Sequence, residues 1–256
     1  MKKLFILLAI FTTFATMAQS VGINTDGSAA NASAMLDVSS TTKGFLPPRM
    51  TTTQRDAITS PAEGLTIYNT TIKSVQVYNG TAWYSTVHFI GESYGGGIVF
   101  HVYDNGQHGL IAATADQSPT SYDLVNANYN FPWSNSNTKT RALASGVGAG
   151  LKNTAIIIAN QGPLPGGDFA ASVCNEYSVI VNFVKYGDWY LPSLYELQLL
   201  QSQKTVVGNF SSGSYWSSTE WTNQTNDSAY TVPMSMPSYF TNTKVSRYRV
   251  RAIRAF

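Results

Sequence analysis

Five cations crowd the last thirteen residues, Lys244, Arg247, Arg249, Arg251 and Arg254, and no acid lies among them. Arg247, Arg249 and Arg251 alternate with Tyr248, Val250 and Ala252. On a strand, alternate side chains share a face, so three guanidinium groups would line up over about 13 Å. Planar guanidinium groups fork onto sulfate or carboxylate oxygens, which makes the row a candidate site for an anionic polymer. The competing reading pairs these cations with Asp188, Glu220 or Asp227, so that they brace the fold. Trp221, Tyr230 and Tyr239 stand in polar surroundings and are the candidate platforms for a sugar ring.

Other chemistries lack their parts. His88, His101 and His108 show no HxxxH or HExxH spacing, and a metal there would need a carboxylate from elsewhere. Cys174 is the only cysteine, so neither a disulfide within the chain nor a thiolate zinc site can form. Its Ala171, Cys174, Tyr177 spacing reads as one buried helical face. Gly95 to Gly97 lacks the Lys-Ser/Thr of a phosphate loop and precedes a strand, so it reads as a flexible entry to a domain. There is no Gly-x-Ser-x-Gly elbow. Glu196 has no evident partner carboxylate and reads as a helix cap. The expectation is a protein that is not an enzyme, with no metal and no cofactor.

Those residues need elements to hold them, and the chain divides into three parts. Lys2 and Lys3, the apolar run Leu4 to Phe14 and the small residues up to Ala18 form a signal peptide over 1–18, with cleavage before Gln19. The apolar run is too short to span a membrane, and no other run suggests a transmembrane helix. The mature chain is therefore expected to be exported, extracellular or at the cell surface. Charged residues make up 12% of the chain, about half the usual ~25%. Removing Lys2 and Lys3 takes the formal charge from +2 to neutral, which argues against nucleic acid as a partner.

Residues 19–86 are rich in Thr, Ser and Asn. Leu65 to Tyr68 and Val75 to Tyr78 alternate as a small hairpin whose apolar face lacks a cover. A neighbouring copy is the natural cover, so the segment reads as the stalk of a homo-oligomer, with a trimer favoured. Residues 87–256 carry most of the aromatic residues and form a head. Helices are expected over Ala149 to Ala159, from Asp168 to Phe183, and from Ser193, which opens a capping box with Glu196. Strands precede and follow them, giving an α+β domain in which first and last strands pair.

Two resemblances follow from longer motifs. Ala34 to Val38, Lys43 to Met50, Gln54 to Ala57 and Val77 to Trp83 resemble tail-fibre-like stalk segments of bacterial surface proteins. The run Gly187-Asp188-Trp189, with Leu191-Pro192 and Glu196, is followed by Tyr215-Trp216-Ser217-Ser218-Thr219 and by the Val250 to Phe256 strand. Over residues 90–256 this pattern resembles the Lcl C-terminal domain family of collagen-like adhesins, related to FISUMP-type paralogous domains. The resemblance implies a C-type-lectin-like fold, surface display and trimeric binding of sulfated polysaccharides. The expected partner is an extracellular polysaccharide or a surface protein, and the alternative reading is a structural fibre or matrix component whose head contacts other proteins. The architecture is also similar to that of formylglycine-generating enzymes. Those enzymes need paired cysteines, which Cys174 alone cannot supply.

Overall fold

The computed structural model describes residues 20–118, 130–135, 138–161, 168–222 and 227–256. The expected signal peptide lies outside them. The chain divides into two compact units, with the boundary in sequence between Tyr84 and Ser85.

In the N-terminal unit β1 (Val21–Ile23) pairs in parallel with β2 (Leu36–Val38). The alternation puts Val21, Ile23, Leu36 and Val38 on one face, where they are 55%, 55%, 54% and 41% exposed. Two strands alone are marginal in water, so this face has no cover within the described residues of its unit. A second sheet orders β3 (Arg49–Met50), β4 (Thr66–Asn69), β5 (Ser74–Tyr78) and β6 (Trp83–Ser85) side by side. The short helix α1 (Thr52–Asp56) is opened by a capping box from Thr51 and Gln54. The buried face of the β4–β5 hairpin is mostly polar. Asn69 donates to Gln76 at 2.9 Å, and Arg55 reaches the same amide oxygen at 2.8 Å. Apolar burial in this sheet is therefore small, with Ile67 the apolar side chain that is buried on that face.

The head is α+β. Its central sheet has the order β17-β9-β8-β7, with β7 (Ser93–Tyr94), β8 (Gly97–Tyr103), β9 (His108–Ala113) and, from the far end of the chain, β17 (Ile253–Ala255). The last strand pairs with β9, one of the head's opening strands, so strands from the two ends of the head meet in one sheet, while β7 takes the edge of β8 away from β9. Successive residues of these strands point to opposite faces. Val99, Ile111 and Ala252 join one core with Trp133, Trp189, Trp216 and Cys174. Phe100, Leu110, Ala112 and Ile253 join a second core with Tyr190, Leu197, Leu200 and Tyr215. A sheet covered on both faces explains why Leu110 to Ala113 is apolar without alternation.

Gly95, Gly96 and Gly97, the last of which opens β8, are not a flexible entry. A Cβ on Gly96 would fall on Val179 Cγ1, and one on Gly97 would fall on the Ala112 carbonyl. They are small because other chain segments press against them.

Between the strands lie β10 (Phe131–Pro132), α2 (Ala149–Gln161), α3 (Ala170–Glu176), the hairpin β11 (Val179–Val181) and β12 (Val184–Tyr186), α4 (Leu194–Ser202) and α5 (Lys204–Val207). The helix expected from Asp168 to Phe183 is corrected here. It starts two residues later and stops at Glu176, because Val179, Ile180 and Val181 are β-branched and form a strand. The Ser193 cap of α4 is present with both of its reciprocal bonds. A three-stranded sheet of β13 (Ser214–Trp221), β14 (Ser228–Pro233) and β15 (Phe240–Thr243) follows. β16 (Arg247–Tyr248) then pairs with β10.

Candidate functional site

The residues from Trp189 to Glu196 and from Tyr215 to Thr219 knit the head together. The register of β13 on β14 breaks between Trp216 and Glu220, and this bulge turns three hydroxyl side chains toward separate partners. Ser217 donates to the Tyr230 carbonyl, and the Asn153 amide donates to Ser218. Thr219 bonds both the Ala144 carbonyl and the Leu194 amide. The Ser218 amide donates to Pro192 O at 2.7 Å. Trp216 and Trp189 are buried, and each indole N–H donates to a backbone carbonyl, Phe131 O and Tyr186 O respectively. Leu191 is buried against Trp189. Glu196 caps α4 and also accepts from the amides of Gly148 and Gly150. Burial pushes its carboxyl above the ordinary range, against the pull of those amides.

The five C-terminal cations do not form one row. Lys244 is buried and bonds Glu220 at 2.5 Å, with its ammonium 5.0 Å from the Trp133 ring centroid. Glu220 also accepts from the Thr140 and Arg141 amides, so the pair is hydrogen-bonded as well as charged. Arg251 is fully buried and places Nε and Nη2 on Asp116 Oδ1 at 2.9 and 2.7 Å. Arg254 forks onto Asp188 at 2.8 and 2.9 Å and stacks over Tyr186. These three placements correct the expectation that Lys244, Arg251 and Arg254 present their charge to an outside ligand. Two are out of reach of solvent, and the third is spent on Asp188.

Arg249 is half-buried, with Nε on the Ser212 carbonyl at 3.1 Å and Nη1 at 3.8 Å from Asp116. Arg247 is exposed and reaches the Asn130 carbonyl at 3.4 Å. Trp221 is half-buried at the end of β13, while exposed Tyr239 packs edge-on to Tyr230 at 5.6 Å. The guanidinium groups of Arg251 and Arg254 lie instead over Phe210, Tyr186 and Trp189.

What Arg249 and Arg251 do hold is a loop. Residues 208–213 run between α5 and β13 with positive φ at Gly208, Asn209 and Gly213. Arg251 donates to Gly208 O and Asn209 O, and Arg249 donates to Ser212 O. The Tyr215 hydroxyl accepts from the Ser211 amide and bonds Asp116 at 2.7 Å. Burial and then Asp116 hold that phenol far above its usual range, so it stays neutral. Phe210 rests on the guanidinium of Arg251, 4.1 Å from the ring centroid. A Gly- and Ser-rich loop is thereby fixed in one conformation.

The fixed loop walls an open groove of about 600 Å³, with Lys204, Phe210, Ser211, Ser212 and Ser235 along it. An aromatic ring beside hydroxyl groups and one ammonium can meet a sugar through both its apolar face and its hydroxyls. Asp116 is the residue that sequence reasoning missed. It lies 135 positions from Arg251, and its only sequence cue is a lone acid after an apolar strand.

His101 and His108 flank the Tyr103 ring, and among the described residues no cluster of His, Cys, Asp and Glu could hold a metal ion. Also among the described residues, no helix is long and apolar enough to cross a membrane.

Residues 22–99 match the family model of a phage tail-like trimerisation region. A search of curated proteins returns no match. The match agrees with the tail-fibre-like stalk expected from the sequence and supports a fibre-like, homo-oligomeric protein.

Proposed function

We propose that this protein is an exported, non-catalytic fibre-type protein of three copies, displayed outside the cell. Its N-terminal region gathers the copies, and its lectin-like head recognises an extracellular carbohydrate in the groove beside Phe210. The observation that carries the reading is the trimerisation match over 22–99, joined to an apolar strand face left in solvent within that segment. Three grooves on one particle would raise a weak individual affinity through multivalent attachment. The groove's single ammonium favours a neutral or weakly anionic glycan over a densely sulfated one.

Immobilised xylan, alginate and heparin test the head. Mature protein should be retained on at least one of them, and Phe210→Leu, which keeps the packing on Arg251 but removes the aromatic face, should weaken retention. Flow-through on all three would remove the carbohydrate reading.

A further inference from the structure

The β11–β12 hairpin departs from the chemistry its turn calls for. Asn182 and Phe183 are its two central residues, with φ of 49° and 67°. Both values are positive, the geometry that favours Asn-Gly because a Cβ at the second position is strained. Here the second position holds a phenylalanine that is 103% exposed, between Ile180 at 69% and Val184 at 50%. Strain of this kind persists where the surrounding structure or a function demands it.

The base of the hairpin is rigid. Val179 pairs with Tyr186, and its Cγ1 fills the space a Gly96 side chain would take. Tyr186 in turn lies under the Arg254 guanidinium. A firm base therefore projects an apolar tip.

A recess lies beside it. Tyr94, Gly95, Gly96, Thr114 and Val181 line a cleft of about 240 Å³. The trimerisation match extends to Val99, so the glycines of this cleft, and the spot where the hairpin docks, belong to the matched segment. Copies arranged in a ring meet through unlike patches, a protrusion of one against a recess of the next. Protrusion and recess are both present here, on or against the segment that matches a trimerisation region. We propose that Phe183 of one copy seats in the Tyr94 to Thr114 cleft of the neighbouring copy. The inference rests on the three-copy reading above.

The test uses the full mature chain with p-benzoylphenylalanine at position 183. Irradiation should join the chains into covalent dimers and trimers, with the new bond mapped within residues 93–114. A particle of trimeric mass with no self-crosslink at this site would overturn the inference and leave the fibre reading standing. A monomer without crosslink would sink both. Crosslinks only to lipid or to other proteins would also overturn it. Phe183→Gly gives a second readout. It should leave the melting temperature of the head unchanged or higher, because the turn is relieved, while the trimer dissociates at least tenfold more readily. Unaltered dissociation would count against the contact.

Discussion

Replacing Arg251 with methionine separates a brace from a ligand site. The guanidinium is buried and bonds Asp116 twice, together with the carbonyls of Ala113 and Asn209. Without it, Asp116, at 9% side-chain exposure, keeps the Tyr215 hydroxyl and an Arg249 nitrogen 3.8 Å away. Removing one partner of a buried ion pair costs about 3–5 kcal/mol. A domain of this size loses roughly 2–4 °C of melting temperature per kcal/mol, so the expected fall is roughly 6–20 °C. Circular dichroism on the mature protein reads it directly. Arg247→Met is the control, because an exposed side chain should change stability by ~0.5 kcal/mol or less. The double variant Arg251→Met/Asp116→Leu should recover part of the loss, since a buried pair can be replaced by apolar groups at little cost. An Arg251→Met protein that melts within ~2 °C of the wild type would refute the assignment.

Two further predictions concern titration and reactivity. Burial pulls the Asp188 carboxyl upward, but the hydrogen bonds and charge of Arg254 outweigh it and hold the group below its ordinary value of 3.8. A carboxyl depressed in the folded state stabilises above its unfolded pKa and loses that effect as pH falls through the folded one. The melting gap between wild type and Asp188→Asn should therefore be present at neutral pH and close in acid; a gap unchanged at roughly pH 2 would contradict the pairing. Cys174 is buried, and burial pushes its thiol well above the ordinary range. Iodoacetamide should leave it unmodified in the native protein and alkylate it in denaturant, as mass spectrometry would show. Rapid native labelling would place the thiol at the surface.

Local chemistry was legible in the sequence, and long-range pairing was not. The capping box of Ser193 and Glu196 spans three residues, and its reciprocal bonds formed where the pattern put them. The β4–β5 hairpin formed where the alternation put it, but the face it buries carries Asn69, Ser74 and Gln76 beside Ile67, while Val75 and Val77 lie half-buried on the other. The helix that opens at Asp168 in the sequence pattern ends early at Glu176, although the aliphatic residues up to Val181 also fit a helical face. Their β-branched chemistry was the cue that should have decided for a strand. Arginine alternation predicted a shared face, but only Arg247 and Tyr248 of that stretch lie in a strand, and the chain then leaves the regular pleat until Ile253. Lys244, Arg251 and Arg254 accordingly each met a separate acid, at separations of 24, 135 and 66 residues that no window of sequence pattern covers. Gly95 to Gly97 teach the same lesson. Flexibility and close approach both call for glycine, and only the position of Val179 and Ala112 distinguishes them.

The proposed function requires the N-terminal unit to hold copies of the chain together. Light scattering on the purified mature protein at micromolar concentration measures that directly. A molar mass near three times that of a single mature chain is the expected result, and a single-chain mass across the whole concentration range would contradict the account.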